Sequence, residues 1–397
     1  MDLVNSIKSK AANYKSEIIE NRRHIHTHPE LSFQEFETAK FIAAKLRSYG
    51  LEPQEGVAGT GVVAVIKGKN PDKKVIALRA DIDALPIQEQ NDVPYQSVHQ
   101  GVMHACGHDV HSSSLLGTAK ILSELTDQFE GSIKLIFQPG EEKVPGGASL
   151  MIKDGVLKNP TPSNITGQHV MPFIPVGKVG FREGMYMASA DELYLTVKGK
   201  GGHGAMPEKG VDPVLMASHI IVALQQIISR NCDPKVPSVL SFGKVIAEGA
   251  TNVIPNEVYI EGTFRTLNEE WRYDAHQRMK KIAESIAEGM GGSCDFEIRV
   301  GYPYLENNPE LTQKLKQAAI EFMGEDNVVD LDIWMAAEDF AFYSHEIDAC
   351  FYRLGTGNEA KGITSGVHTP TFNIDEDALE IGAGLMAWLA LSNLQSD

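Results

Sequence analysis

Hydrophobic positions along the chain recur at two spacings, and each spacing predicts one kind of element. Apolar residues three and four positions apart indicate helices, whereas short continuous apolar runs indicate buried strands. Helices are predicted up to Pro29, over residues 30–50 with Gly50 at the C-cap, and over Ser112–Leu125. Strands are predicted over Val62–Ile66, Val75–Arg79 and Ser132–Phe137. Because helices alternate with apolar strands, this part of the chain predicts an α/β domain with a mixed, largely parallel sheet.

The middle of the chain has a different order of elements. The sequence predicts strand Asp191–Lys198, helix Asp212–Ser229, strands Val236–Val245 and Val253–Phe264, helix Glu269–Met290 and strand Cys294–Val300. This is the split βαβ order of a small α+β domain. The α/β rhythm then resumes with a strand over Cys350–Leu354 and a helix over Glu376–Leu394. We therefore expect an outer domain made of residues 1–187 and 301–397, interrupted by an inserted α+β domain over residues 188–300.

Composition and charge narrow the classes of function. A chain of 397 residues suits two or three domains at ~150 residues each. With 36 Lys and Arg against 53 Asp and Glu, the net charge is −17, which disfavours nucleic acid as a partner. The four cysteines are scattered, which favours a reducing compartment over a disulfide framework. The N-terminal stretch lacks the apolar core of a signal peptide, and the longest apolar stretch, around Leu385–Leu391, is too short to span a membrane. We expect a cytoplasmic protein with no membrane partner.

Two short segments carry side chains that suit a metal ion. Cys106-Gly107-His108 places a thiol and an imidazole two residues apart in a loop before a helix, and this pair suits a divalent ion such as zinc. Glu141-Glu142 follows a strand, and adjacent carboxylates repel each other unless a cation or a proton separates them. With a metal present, one carboxylate can bind it and the other can act as base toward bound water. The alternatives are a buried cysteine with a capping histidine, and a solvated acidic turn.

Two further histidines are candidates for the same site. His169 follows a short apolar stretch, and His368 lies in a loop between Gly366 and Pro370. Each of them alone is more often structural than a ligand. Together with the cysteine, the histidine and one glutamate above, they supply five ligands, enough for two metal ions with a bridging water.

A glycine-rich segment imitates a dinucleotide-binding motif. Gly199–Gly204 fits G-x-G-x-x-G after a strand, but Pro207 and the polar run up to Asp212 delay the helix that such a site needs. The sequence also lacks the acid expected about 20 residues further on. We therefore expect no dinucleotide, and interpret the glycines as allowing the backbone to approach a substrate or another subunit, with His203 carried on the loop.

Ordered motifs over nearly the whole chain resemble those of one known family. They are Arg22–Leu31, Leu78–Pro86, His104–Asp109, Gln138–Glu142, Gly199–Pro207, Asn252–Pro255, Gly262–Arg265 and Ala337–Phe340. They resemble the metal-dependent amidohydrolase branch of the aminoacylase/carboxypeptidase superfamily, which includes N-acyl-amino-acid amidohydrolases, hippurate hydrolases and auxin-conjugate hydrolases. The resemblance implies a dinuclear-metal catalytic domain and a lid domain, residues 188–300, that also forms a homodimer.

The resemblance also implies roles for individual residues. It matches the metal ligands to Cys106, His108, Glu142, His169 and His368. It matches Glu141 to the general base and Asp81 to an acid that supports a ligand. His203 on the lid matches a residue that helps to hold the substrate carbonyl oxygen across the dimer. Asn252 and Arg265 stand where the substrate carboxylate could bind.

The chain departs from the wider superfamily at one position. Many relatives place a ligand histidine two residues before the acid, where this chain has Arg79 before Asp81. Cys106 with His108 is interpreted as the replacement. The cysteine favours zinc, and the carboxylate and water environment also accepts manganese, cobalt or nickel. The roles of His104 and His111 stay open.

The expected function is hydrolysis of the amide bond of an N-acyl-L-amino acid to a carboxylic acid and a free amino acid. A metal-activated water attacks the amide, and Glu141 takes its proton. A dipeptidase or aminopeptidase on the same scaffold is the enzymatic alternative, although no obvious extra acid marks a site for a free amino group. A metal-binding protein without activity is the other alternative. The acyl group and the amino acid depend on pocket shape and are not predicted.

Overall fold

The computed structural model describes residues 3–395, which form sixteen strands and nine helices. The strands are β1 (Gln54–Val57), β2 (Gly61–Lys67), β3 (Val75–Asp81), β4 (Ser132–Gln138), β5 (Asn164–Pro175), β6 (Val179–Phe181), β7 (Gly184–Met187), β8 (Asp191–Lys198), β9 (Gly202–His203), β10 (Ser238–Ile246), β11 (Val253–Ile254), β12 (Glu257–Thr266), β13 (Ser293–Val300), β14 (Leu305–Asn307), β15 (Val328–Asp330) and β16 (Asp348–Gly357). The helices are α1 (Leu3–Thr27), α2 (Phe36–Ser48), α3 (His108–Ser123), α4 (Gly147–Lys153), α5 (Pro213–Leu224), α6 (Glu269–Gly289), α7 (Pro309–Met323), α8 (Ala341–Ser344) and α9 (Asp377–Gln395).

An eight-stranded mixed sheet dominates the first structural unit. Its strand order is β1-β2-β4-β3-β5-β16-β6-β15, and β4, β3, β5 and β16 pair in parallel. β4 is buried along its whole length, and β3 from its second residue onward. Strands in the middle of a parallel sheet are covered on both faces, so their apolar runs are continuous and readable in sequence. The predicted α/β fold class with a mixed, largely parallel sheet is confirmed.

Helix packing fixes the position of α3 against the sheet. Helices α1, α3 and α9 pack against one another, and α3 and α9 also contact β3. Gly117 of α3 makes this close approach possible, because an added Cβ there would lie 2.7 Å from Ile18 and 2.9 Å from Ala383. The first residue of α3 is His108, so this packing places a predicted ligand at a defined end of the sheet.

The predicted helix over residues 30–50 begins only at Phe36, because the preceding residues make other contacts. Leu31 forms a β-bridge with Ala84. The buried carboxylate of Glu35 accepts hydrogen bonds from the backbone N–H groups of Phe33 and Gly140, both at 2.8 Å. The segment therefore braces the two loops that carry the acidic residues of the site.

The second structural unit comprises Met185–Leu305 and Ile333–Glu338, and the other residues that the structure describes form the first. It contains an antiparallel sheet of order β10-β12-β8-β13 with helices α5 and α6. The short segment Ile333–Glu338 joins this unit because Trp334 pairs with Met187, although the sequence analysis assigned it to the outer domain. The predicted strand Val253–Phe264 is split at Pro255, which cannot donate to a strand ladder.

One helical stretch in the described residues, Pro213–Asn231, is long and apolar enough to cross a membrane by length and composition. Its mean hydropathy is 1.2, and a third of it is buried. Met216, Ile220 and Leu224 on this stretch belong to the core of the second unit. Such a helix is weak evidence for a membrane segment, because core helices of globular domains meet the same criteria.

Candidate metal centre

The six residues predicted to act at the centre, five ligands and the base, meet where the central parallel strands end. Glu141 and Glu142 follow β4, His169 lies on β5, and His108 opens α3. The carboxyl ends of parallel strands form the usual ligand-binding edge of an α/β sheet. Chain segments far apart in sequence therefore supply one cluster.

Five groups of three side chains within residues 3–395 hold their ligand atoms within 4.8 Å of one another, and three of these groups overlap and consist only of the predicted ligands and the predicted base. These three groups are Cys106, His108 and His169; Cys106, Glu142 and His368; and His108, Glu141 and Glu142. The Cys106 Sγ atom lies 3.5 Å from His169 Nε2, and His368 Nε2 lies 3.1 Å from Glu142 Oε1. The structure thus brings all five predicted ligands and the predicted base together.

Asp83 is a member of the site that the sequence analysis missed. Its Oδ1 atom accepts from Nδ1 of His108 at 3.1 Å. Its Oδ2 atom accepts from the backbone N–H of Glu142 at 3.0 Å and from the Ser32 hydroxyl at 2.6 Å. A carboxylate behind a ligand histidine fixes the tautomer that leaves Nε2 free for metal. The available signal was the acidic turn after β3, in which Asp83 follows Asp81 by two residues.

Asp81, predicted to support a ligand, makes no hydrogen bond to one. Its carboxylate binds Arg79 Nη1 at 2.5 Å and His111 Nδ1 at 2.6 Å, and lies 3.8 Å from His108 Nε2. The acid that contacts a ligand histidine is Asp83, so the position two residues before it is Asp81 and not Arg79. Asp81 instead anchors His111, whose role the sequence left open.

His104, the other open histidine, lies buried beside the site. Neither of its ring nitrogens has a hydrogen-bond partner within residues 3–395. Burial lowers its pKa to about 4, so the ring is neutral. Its ring centroid lies 6.4 Å from that of His26, and the cluster of ligand groups does not include it.

The electrostatics of the cluster favour a bound cation. Although burial lowers the pKa of His108, the charge of Asp81 and the hydrogen bond to Asp83 raise it to about 10. Burial, and then the charges of Glu142 and Glu141, raise the pKa of Cys106 well above its usual value. The acidic side chains therefore favour a positive charge at this point. A divalent ion supplies that charge and also stabilises the thiolate form of Cys106.

Polar atoms that lack partners provide a direct test of whether a metal fits. Nε2 of His108 is buried and has no hydrogen-bond partner within residues 3–395, and Oε1 of Glu142 makes no hydrogen bond there although Nε2 of His368, another predicted ligand, lies 3.1 Å away. Buried polar atoms are nearly always paired, so Nε2 of His108 needs a partner that the protein groups do not supply. His169 donates from Nδ1 to the Val170 carbonyl at 2.8 Å, which leaves its Nε2 lone pair directed at Cys106. The residues present fit a divalent metal centre.

His368 forms the solvent side of the cluster. Its side chain is 52% exposed, whereas that of Glu142 is 12% exposed. The backbone of His368 has φ 61°, which is uncommon outside glycine, and its N–H donates to the Ala105 carbonyl at 2.7 Å. This bond ties His368 to the loop that carries Cys106.

The predicted substrate-binding residues all lie in the second unit. His203 on β9 pairs with Val253 on β11, and the Gly204 N–H donates to the Asn252 carbonyl at 2.8 Å. His203 and Asn252 therefore share one exposed loop structure. Arg265 lies on β12, where its Nε contacts Thr263 Oγ1 at 3.3 Å.

Comparison with known proteins places the chain in a family. Residues 77–392 match peptidase family M20/M25/M40, and the chain belongs to this family. The resemblance inferred from the motifs is thereby confirmed. The chain is a hydrolase that acts on amide bonds and binds divalent metal ions.

Individual relatives extend this assignment. The chain is 43% identical over 304 residues to an N-acyl-L-amino acid amidohydrolase of Geobacillus stearothermophilus, covering 77% of this chain and 81% of that protein. It is 39% identical to thermostable carboxypeptidase 2 of Saccharolobus solfataricus, covering 98% and 99%. The crystal structure of the Bacillus subtilis YXEP protein, described as a dinuclear metal-binding peptidase of the M20 family, matches with a TM-score of 0.84 at 37% identity, covering 97% and 100%.

Proposed function

We propose that the chain is an amidohydrolase that cleaves N-acyl-L-amino acids to a carboxylic acid and a free amino acid. The observation that carries the proposal is the position of Glu141, whose carboxylate lies within 4.8 Å of ligand atoms of His108 and Glu142. A base beside a metal centre is the arrangement that hydrolysis of an amide by water requires. The amidohydrolase from Geobacillus stearothermophilus supports the substrate class.

The contacts of the site support separate roles for the metal ions and for Glu141. Two divalent ions, when bound to Cys106, His108, Glu142, His169 and His368, supply Lewis acidity toward the amide carbonyl and toward water. Glu141 accepts the proton of the attacking water and returns it to the departing amine nitrogen. The Asp339 N–H donates to Oε1 of Glu141 at 3.3 Å, which orients that carboxylate.

We propose two ions because the ligand groups overlap. Cys106, His108 and Glu142 each belong to two of the three groups, as expected where ligands of two neighbouring ions lie side by side. The relative described as dinuclear supports this number. A thiolate with imidazoles favours zinc, and the carboxylates also accept manganese, cobalt or nickel. Elemental analysis of the purified protein tests both the number and the identity of the ions.

For the second unit we propose a lid that binds the substrate. Arg265 is proposed to pair with the α-carboxylate, because its forked guanidinium suits this group better than the ammonium of Lys. His203 is proposed to hold the carbonyl oxygen, and Asn252, on the same loop structure, to contact the carboxylate. Arg265→Ala is expected to raise KM for N-acyl-amino acids much more than for their C-terminal amides. Equal effects on both would remove Arg265 from this role.

We also propose that the second unit forms a homodimer. Strand β10 is an edge strand of its sheet, with Val245 53% exposed. Helix α5 exposes Leu215 at 51% and Val222 at 73%. Edge strands and exposed apolar side chains are both features of surfaces that subunits cover. A monomeric mass in light scattering, unchanged by Val222→Glu, would contradict the dimer.

The cytoplasmic location stays a proposal that rests on composition. All four cysteines are free, as a reducing compartment requires. Fractionation of the native cell, with the protein found outside the cytoplasm, would contradict it.

A peptidase that acts on unblocked peptides is the second candidate function, and the relative named carboxypeptidase favours it. The two activities share one chemistry, because the C-terminal residue of a peptide is itself an N-acylated amino acid. Parallel assays with an N-acetyl-amino acid and the matching free dipeptide separate them. A purely structural metal site would instead show bound metal and no hydrolysis of either compound.

The deciding experiment combines metal analysis with Glu141→Ala. The variant is expected to bind metal like the wild type and to lose roughly 10²–10⁴-fold in kcat, the usual contribution of a positioned base. The wild type is screened against N-acyl-amino acids in zinc, manganese and cobalt. Retention of more than a few per cent of activity by the variant would refute Glu141 as the base.

A further inference from the structure

We propose that Arg79 is a positioning residue. It fixes the position of the general base Glu141 relative to strand β5, which carries the metal ligand His169. This inference deepens the proposed function and rests on it, because it assumes that Glu141 is the base. Arg79 was noted in the sequence only as a departure from the wider superfamily. In the structure its side chain is fully buried between the elements of the site.

The guanidinium of Arg79 donates hydrogen bonds to Asp81, Asp339 and Gln138. Nη1 donates to Asp81 Oδ2 at 2.5 Å, and Nη2 donates to Asp339 Oδ1 at 2.7 Å. Nε donates to the side-chain oxygen of Gln138 at 2.9 Å. A planar guanidinium fixes the relative direction of these three partners, which a single ammonium cannot do. Arg79 thus connects the ends of β3 and β4 with the loop that contains Asp339.

One arm of the network reaches the strand of His169. Asp81 Oδ1 contacts Nδ1 of His111 at 2.6 Å, and Nε2 of His111 accepts from the Val170 N–H at 2.8 Å. Because a backbone N–H can only donate, the ring proton of His111 lies on Nδ1 and points to Asp81. The chain from Arg79 through His111 therefore ends on the residue next to His169.

The other arm reaches the base. The carboxylate of Asp339 accepts from Arg79, from Gln138 Nε2 at 2.8 Å and from the Ala148 N–H at 2.9 Å. These bonds fix the backbone of Asp339, whose own N–H donates to Glu141 Oε1 at 3.3 Å. A shift of Asp339 would therefore change the direction of the carboxylate that takes the proton.

This arrangement predicts a kinetic effect separable from loss of fold. Arg79→Lys keeps a positive charge near the two acids but loses the forked geometry. A misplacement of about 1 Å in a reacting group can cost about 10²-fold in rate. We expect kcat to fall roughly 10–100-fold, KM to change by less than about threefold, and metal content to stay at the wild-type level.

A matched control exists in the second unit. Arg272 is also buried and donates from Nε and Nη2 to Asp191, at 2.9 and 2.6 Å. Arg272→Lys removes the same kind of fork without touching residues of the metal centre. It is expected to lower Tm to an extent similar to Arg79→Lys while leaving kcat within about twofold of the wild type.

A second variant tests the inference if Arg79→Lys does not fold. Gln138→Met removes the hydrogen bonds to Asp339 and from Arg79 without changing any charge, and is expected to lower kcat in the same direction with unchanged metal content. Normal kcat in a folded Arg79→Lys, or in Gln138→Met where the first variant does not fold, would overturn the proposal. Active Glu141→Ala, or no hydrolysis by the wild type, would instead overturn the proposed function.

Discussion

Replacement of Asp83 by Asn should disturb the metal centre through the tautomer of His108. The Asp83 carboxylate accepts from His108 Nδ1, from the Glu142 N–H and from the Ser32 hydroxyl at 3.1, 3.0 and 2.6 Å. An amide has only one acceptor oxygen. If that oxygen keeps Glu142 and Ser32, the amide N–H₂ faces Nδ1 of His108, which must then lose its proton. The proton moves to Nε2, the atom proposed to bind metal.

The expected loss of metal affinity follows from this change of tautomer at His108. Removing the partner behind a metal-ligating histidine typically weakens metal binding 10–100-fold, or about 1.4–2.7 kcal/mol. Competition with a chelator at constant pH measures the metal Kd of the wild type and of Asp83→Asn. Because Glu141 is untouched, saturating metal should restore most of kcat. Ser32→Ala is the control, since it removes one hydroxyl and leaves both carboxylate oxygens.

Two results would refute the argument about Asp83. One is a metal Kd in Asp83→Asn equal to that of the wild type. The other is a loss of activity that saturating metal does not restore, which would indicate a role in the reaction itself.

Three further predictions concern the metal, the base loop and the stability of the second unit. Chelation should abolish hydrolysis and lower Tm in calorimetry, because the clustered acids lose their cation, and added zinc or manganese should reverse both. Gly140→Ala should lower kcat at least about tenfold. Gly140 precedes Glu141 and has φ 60°, and an added Cβ would lie 2.3 Å from the Phe33 ring. Gly50→Ala is the control, because nothing lies within 4 Å of a Cβ added there. Asp191→Asn should cost about 3–5 kcal/mol at pH 7 in urea unfolding, as expected for a broken buried ion pair. Although burial raises the pKa of Asp191, hydrogen bonds from His276 and Arg272 lower it, so its contribution is present above the unfolded value near 3.9 and is lost as pH falls through the folded pKa. The difference from the wild type should therefore shrink below about pH 4, and a constant difference would contradict this reasoning.

The sequence predicted the elements whose own residues show a clear hydrophobic pattern. Strands β3 and β4 are continuous apolar runs, and α6 has its capping residue Asn268 and a clear helical period. The three-residue strands β6 and β15 were not predicted, because they exist only through pairing with distant segments. Helix α7 was also missed, although Asn308 as N-cap and Pro309 at its first turn are readable signals.

For the site, the sequence predicted which residue types bind a metal better than it predicted which side chains contact one another. Cysteine, histidine and paired glutamates indicate a metal by their chemistry alone, whatever their position. Whether Asp81 or Asp83 faces a ligand depends on where β3 ends, a boundary that periodicity does not resolve. β3 ends at Asp81, so Asp83 lies beyond the strand and turns toward His108.

Buried charge is not by itself a sign of function in this chain, and the contrast between two acids shows what is. Asp191 is buried and fully engaged, since Arg272, His276 and the Gly301 N–H all donate to it. It joins the elements of the second unit and leaves no atom for a ligand. Glu142 is less buried, and its Oε1 atom makes no hydrogen bond within residues 3–395, although Nε2 of His368, another predicted ligand, lies 3.1 Å away. His108 Nε2 has no hydrogen-bond partner within residues 3–395, and both atoms lie among ligand atoms of suitable type. Convergent ligand atoms that the protein leaves unpaired, rather than buried charge alone, therefore mark the metal centre.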